Sequence, residues 1–301
     1  MLLKIAKTSV LVAVTAVALN AGNFNAQAEH DRMALEKFTV DMFKNPSANK
    51  YTFFQYSTDA ELKKMRSNIP AGDFVDGTYS FDLAGKMSRD DQMEMPPFEE
   101  NVEKGEAAYN KHFKKCFPNP AITGEYPIFD EKSGKVETLS EAVVACAKAA
   151  GLKTGKKGYN LKGGKTADLQ AYFATESQDA GKKVNVKINS AAAAKAYEAG
   201  KKNFYAQRGY LELSCAECHV QGQAKRVRLQ YLSQTFGHVT HFPVYRVGKG
   251  KLFTLEGRLG GCNRNMGEAP HKPGSDWSSD TLYFMSYMSN GMNLTGPDVR
   301  R

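Results

Sequence analysis

Cys215-Ala216-Glu217-Cys218-His219 decides how this chain is read, because Cys-x-x-Cys-His is the attachment pattern of a c-type haem. Two thiols at this spacing add to the two vinyl groups of one porphyrin, and the adjacent imidazole reaches the iron. A free dithiol or half of a zinc site would share the spacing, but no second Cys/His pair at zinc spacing accompanies it. The expected cofactor is therefore one haem c per chain, bound covalently through Cys215 and Cys218 with His219 as an axial ligand.

The N-terminus fits a chain assembled outside the cytoplasm. Lys4 and Lys7 precede an apolar run from Val10 to Leu19, and Ala26-Gln27-Ala28 is a small-x-small cleavage site. Residues 1–28 are read as a signal peptide cleaved after about Ala28, which places the mature protein in the periplasm. The apolar run falls short of the roughly 20 residues of a spanning helix, and no later segment approaches that length. The net charge of +9 falls to about +7 once Lys4 and Lys7 are removed. Its basic residues lie in small groups such as Lys156-Lys157 and Lys201-Lys202, without an arginine-rich or aromatic-interleaved tract. An anionic substrate or an acidic protein partner suits this pattern better than nucleic acid.

Five cysteines make an odd count. Haem attachment takes two, and an oxidising compartment should pair two of the remaining three. Cys116 and Cys146 lie in one region, which makes them the expected disulfide and leaves Cys262 over. Its neighbourhood, Arg258-Leu259-Gly260-Gly261-Cys262-Asn263-Arg264, offers glycines for close approach to a flat cofactor and cations that favour a thiolate. Met266, Met285, Met288, Met292, His238 and His241 compete with Cys262 for the iron's second axial position. A Met or His there would make the protein an electron-transfer cytochrome c with no sulfur chemistry.

A weak repeat organises the chain. Gly105-Glu106-Ala107-Ala108-Tyr109 precedes Cys116 much as Gly200-Lys201-Lys202-Asn203-Phe204-Tyr205 precedes Cys215. Leu169-x-x-Tyr172-Phe173 and Phe284-x-x-Tyr287-Met288 then form matching aromatic helices. The expected fold is mainly α: two cytochrome-c-like domains in tandem, the first without haem, plus an N-terminal arm. The arm covers 29–95 and is expected to be extended or partly helical. The haem-less domain with its disulfide covers 96–185, and the haem-binding domain with the active site covers 186–301. Thr138-Leu139-Ser140-Glu141 reads as a capping box that opens a helix bearing Val143 and Cys146 on one face.

Across most of the mature chain these residues resemble the SoxA family, the c-type cytochrome subunit of the SoxAX complex, in its single-haem form. The likeness runs from Met95-Pro96-Pro97-Phe98 and Cys116-Phe117-Pro118-Asn119-Pro120 through the haem motif and Thr240-His241-Phe242-Pro243-Val244-Tyr245-Arg246 to Arg258-x-x-x-Cys262-Asn263. It implies an L-cysteine S-thiosulfotransferase of thiosulfate oxidation, which couples thiosulfate to a cysteine of the SoxYZ carrier. Electrons pass to haem, and a SoxX-type cytochrome completes a heterodimer. The resemblance also makes Cys262 both axial ligand and cysteine persulfide nucleophile, with Arg258 as a substrate-binding residue. A basic residue often follows the nucleophile by about five positions in this family, where this chain has Gly267; Arg264 is the candidate substitute.

Overall fold

The computed structural model describes residues 23–44, 69–227 and 230–300. Most of the segment read as an export signal lies outside these residues, as does 45–68. Helix α1 (Ala26–Lys44) spans the start of the arm that was expected to be extended or partly helical. The proposed cleavage site forms its first turn, and Ala28 is buried with Leu35 in the largest core. Asp31 ties the helix down by accepting a hydrogen bond from the Tyr197 hydroxyl at 3.0 Å and pairing with Lys201 at 2.5 Å. Farther along, Met42 and Phe43 join Phe74, Phe81 and Phe236 in a separate apolar cluster. Residues 71–80 make two short 3-10 turns joined at Gly77, and α2 (Leu83–Met93) starts at Asp82, whose carboxylate accepts the Gly85 N–H at 3.0 Å.

The next segment holds the disulfide. Helix α3 (Glu99–Ala108) continues into a π-turn at Tyr109–Phe113, and a short hairpin of β1 (Ile128–Asp130) and β2 (Lys135–Glu137) follows. Thr138 then opens α4 (Leu139–Ala149) with the expected capping box: its hydroxyl accepts the Glu141 N–H at 3.3 Å, and the Glu141 carboxylate accepts the Thr138 N–H at 2.9 Å. Cys146 on the buried face of α4 is joined to Cys116, with Cα atoms 6.2 Å apart. Helix α5 (Lys165–Asp179) returns across α3, and Tyr109, Phe113, Phe117, Tyr172 and Phe173 pack between them. Burial of a ring as enclosed as Phe173 contributes about 1.5–3 kcal/mol.

Residues 182–188 connect to the second half as an extended, clamped strap. Val184 hydrogen-bonds with the backbone of Met292 and Gly291, and the Asn290 amide both donates to and accepts from the Val186 backbone, at 2.9 and 2.8 Å. Helix α6 (Ala191–Tyr205), capped by Ser190, leads to the Cys-x-x-Cys-His turn. After a two-residue hairpin of β3 (Arg226–Val227) and β4 (Gln230–Tyr231) comes a small mixed sheet. Its central strand β5 (Val244–Arg246) runs antiparallel to β6 (Lys251–Phe253) and parallel to β7 (Asp298–Arg300). Thr254 caps α7 (Leu255–Asn265), and α8 (Asp276–Tyr287) closes the structure against α6.

The two helix crossings match. A methyl group built on Gly105 would stand 2.2 Å from the Asp168 carbonyl oxygen, and one on Gly200 would stand 1.9 Å from that of Asp280. Both glycines are needed because helix backbones touch where a side chain would otherwise intervene.

Candidate active site

The Cys-x-x-Cys-His turn is shaped by a second capping box inside the motif. The Ser214 hydroxyl accepts the Glu217 N–H at 3.2 Å, while the Glu217 carboxylate accepts the Ser214 N–H at 2.7 Å. Seven residues from Cys215 to Gln221 form one tight helical turn and a half. This places His219 on the wall facing α7. The loop after the turn holds it there: the His219 carbonyl accepts from both the backbone N–H (2.9 Å) and the hydroxyl (3.0 Å) of Thr235.

The imidazole itself is oriented by Ser233. Nδ1 lies 2.8 Å from the Ser233 carbonyl oxygen, which can only accept, so Nδ1 carries a proton and Nε2 is the nitrogen left for other partners. Metal-ligating histidines are held this way. His238 contacts the same residue, with Nδ1 2.8 Å from the Ser233 hydroxyl, and its ring stands edge-on to His219 at 4.9 Å.

Helix α7 brings Cys262 to this wall. Its lower end is seated on the disulfide half, where the Thr254 hydroxyl donates to the Leu161 carbonyl at 2.6 Å and a methyl on Gly257 would stand 2.3 Å from the Lys162 carbonyl oxygen. Buried Glu256 accepts from the Ser140 hydroxyl at 2.8 Å, and that hydroxyl accepts from Gln170 at 2.8 Å. Burial raises the Glu256 carboxyl above its ordinary value, and the hydrogen bond from Ser140 acts against that shift. At the upper end, Tyr210 and Leu211 donate backbone hydrogen bonds to the Gly267 and Met266 carbonyls, and Asn263 donates to Glu268 at 2.7 Å.

Three thiols share the resulting space but differ in chemistry. Burial pushes the Cys215 thiol up to about 12, with Cys262 and Cys218 adding to the shift, and burial also raises Cys218. For Cys262, burial likewise favours the thiol, but a hydrogen bond with His219 and the charges of His219, Arg258 and Arg246 outweigh it. The group is held below the ordinary thiol value. Two sulfurs are thus kept as neutral thiols, and the third is biased to the thiolate that metals and electrophiles select.

Of the rivals for the axial position, His238 stands beside His219, and the others lie in the cores and under the N-terminal arm. Met266, Met285 and Met288 are buried in the core built on α6 and α8, and Met292 packs with Phe74 and Phe236. His241 lies under the N-terminal arm, with its Cε1 2.9 Å from where a methyl on Gly77 would stand, and its ring stacks on Phe242. Burial, then Arg300, holds it well below the ordinary imidazole value. Arg258 and Arg264 converge on the face of α7 beside Cys262: their guanidinium nitrogens lie 3.6 and 4.0 Å from where a methyl on Gly261 would stand. Gly267 takes φ 71° and packs against Tyr210, so a long basic side chain has no easy place there.

No family model matches the chain. Individual relatives do. It is 38% identical over 268 residues to the L-cysteine S-thiosulfotransferase subunit SoxA of Chlorobaculum tepidum, covering 84% of this chain and 92% of that protein. The chain belongs to the SoxA family. A second SoxA, from Allochromatium vinosum, is 35% identical over 254 residues, covering 82% of this chain and 89% of that protein. The crystal structure of SoxXA from P. pantotrophus matches this SoxA-family chain with a TM-score of 0.59 at 27% identity, across 68% of this chain and 79% of that one. The expectation of a SoxA relative, made from the Arg258-x-x-x-Cys262 stretch and the haem motif, is borne out.

Sequence reading missed three features of this site: the Ser214/Glu217 box, the Ser233 carbonyl and Arg246. The first was visible as Ser-x-x-Glu immediately around Cys215. The other two depend on loops that only the fold brings together.

Proposed function

We propose that this chain is the sulfur-transferring cytochrome subunit of a thiosulfate-oxidising complex, an L-cysteine S-thiosulfotransferase. It would couple thiosulfate to a cysteine of a SoxYZ carrier and work with a SoxX-type cytochrome. One observation carries this reading: the thiolate-biased sulfur of Cys262 lies within hydrogen-bond reach of His219, beside the attachment thiols, under the guanidinium of Arg258.

The residues fit one covalent haem c. Cys215 and Cys218 would form the thioethers, and His219 Nε2 and the Cys262 sulfur would be the axial donors. Among the described residues, no group of three or more His, Cys, Asp or Glu is gathered to hold a bare metal ion. Bound haem supplies one-electron oxidation.

The chain's own residues do the rest. Arg258 holds the sulfonate through its planar fork of N–H donors and presents the outer sulfur of thiosulfate to Cys262, carried as a persulfide. A sulfur–sulfur bond forms between them with loss of two electrons, which haem held by Cys215, Cys218 and His219 and haem in the cytochrome partner would accept one at a time. The carrier thiolate then attacks the outer sulfur of thiosulfate, forming the carrier S-thiosulfonate and returning the persulfide anion of Cys262. Net, one carrier thiol and one thiosulfate yield the S-thiosulfonate, one proton and two electrons.

The paired glycine crossings and matched aromatic helices support tandem cytochrome-c-like domains at about 96–185 and 186–301, with a disulfide serving the first in place of haem. The charged start, apolar run and Ala26-Gln27-Ala28 support export to the periplasm. Among the described residues no helix is long and apolar enough to cross a membrane.

Intact mass of the exported protein should show one covalent haem and one extra sulfur on Cys262 that a reductant removes. Cys262→Ala should lower thiosulfate-dependent turnover by about 10²-fold or more. Full activity in that variant with its cytochrome partner would sink the assignment.

A further inference from the structure

Arginines in this structure divide into two groups. Arg32 pairs with Glu29 and Glu36; Arg89 with Asp76, Asp90 and Asp298; and Arg300 with Asp298 at 2.8 Å. Arg208, Arg226, Arg246, Arg258 and Arg264 have no ion pair with a carboxylate among the described residues; Arg208 instead donates to Asn203 at 3.1 Å and lies over the Trp277 ring, and Arg226 lies over the Tyr231 ring. For Arg264, exposed on α7, this costs little. For Arg246 it is expensive, because its Nε is buried and makes no hydrogen bond.

Its place in the fold explains what it faces. Arg246 ends β5, opposite Lys251 on β6 and Arg300 on β7. Strand β6 runs through the cap at Thr254 straight into α7, so Arg258 lies in that helix's second turn. Arg246 is near enough to feel both Arg258, which repels it, and the Cys262 sulfur, which attracts it. Burial and that repulsion push its guanidinium down to about 10, the behaviour of cations crowded together without an anion. Arg246 and Arg258 are thus two cations near one sulfur, with no ion pair to a carboxylate among the described residues.

We propose that Arg246 is a second substrate-binding residue, which with Arg258 forms a two-guanidinium clamp for an oxyanion held beside Cys262. On the reading of Cys262 as the sulfur-transfer residue, on which this rests, the oxyanion is the sulfonate of thiosulfate. Two planar forks satisfy three oxygens and place the outer sulfur toward Cys262, and Arg246 supplies the second cation in a chain that has Gly267 in place of a basic side chain. The same geometry would also suit a carboxylate of a bound haem, so the test must separate substrate from cofactor.

The test uses the haem-loaded chain with its cytochrome partner and carrier. Arg246→Gln should raise KM for thiosulfate about tenfold to a hundredfold, the effect of losing one charged hydrogen-bonding group, with kcat changed by less than about threefold. The inhibition constant for sulfite as a competing oxyanion should rise in parallel. Arg246→Lys, which keeps the charge and loses the fork, should fall between, and it guards against a folding defect at the end of β5. Haem content, visible spectrum and midpoint potential should stay as in the parent. Unchanged KM overturns the proposal, and so does a moved spectrum or potential with KM unchanged, which would assign Arg246 to the cofactor. Cys262→Ala measured alongside separates the two readings: if it is inactive while Arg246→Gln keeps its KM, only the clamp fails; if it is fully active, the sulfur-transfer reading itself fails.

Discussion

The two helix crossings in this molecule share a frame and differ in what they enclose. In the first, Gly105 lets α3 meet α5 at Asp168, and the nearby cysteines are consumed by the Cys116–Cys146 bond. In the second, Gly200 lets α6 meet α8 at Asp280, and Cys215, Cys218 and Cys262 all remain free. One half ties its sulfurs into a staple and the other leaves three of them as free thiols. The stapled half also serves its neighbour, because the Leu161–Lys162 loop and Ser140 seat the foot of the helix that carries Arg258 and Cys262. The disulfide half thus supports, through contacts at the foot of α7, the helix that carries Cys262.

The largest test of this contrast removes the staple. Cys116→Ser with Cys146→Ser opens a loop of sequence separation 30, and the loss should be about 3–4 kcal/mol by denaturant unfolding. The visible spectrum of the haem-loaded protein should stay unchanged; a changed axial-ligand signature would mean that the first half shapes the site more directly than the contact at Leu161 and Ser140 allows.

Next come the glycines. Gly105→Ala and Gly200→Ala each drive a methyl into a helix carbonyl, and each should cost up to about 3 kcal/mol through overpacking. Gly200→Ala should also impair haem retention, whereas Gly105→Ala should not. Equal effects of the two variants on haem content would break the distinction between the halves.

The smallest effect concerns the aspartates at the crossings. Burial raises both, but Asp168 accepts a hydrogen bond from Asn101 at 2.8 Å, while Asp280 has Asp276 nearby and rises to about 6. A carboxyl whose folded value lies above its unfolded value of about 4 favours the folded state at low pH, and that contribution is lost as pH rises through 6. Asp280→Asn should therefore stabilise the protein by about 1 kcal/mol at pH 7.5, after allowance for partial solvation, and not at pH 4. Melting temperatures across that range decide it; a gain that does not vary with pH would exclude ionisation of Asp280 as the cause.

Local chemistry was legible in the sequence wherever it depends on near neighbours. The Thr138 box, the pairing of Cys116 with Cys146, the haem motif and the cluster around Cys262 all sit within short windows. Helix α1 was harder to read because apolar Met33 and Phe38 lie on its exposed side while Thr39 is buried among Leu35, Met42 and Phe43, which blurs the amphipathic pattern. Helix α7 was not read as a helix in the sequence, since Gly257, Gly260 and Gly261 each disfavour one; the Thr254 cap and contacts to the first half override that preference. Arg246 was quoted only as part of a family stretch, because its importance lies in a missing partner, and absence of a carboxylate in space leaves no mark in the chain.

Cys215 is only 7% exposed, beneath the closed crossing of α6 and α8. Its thiol is also kept protonated there. Any group joined through this sulfur would share the space that α6 and α8 enclose, so attachment chemistry and helix packing act on one volume.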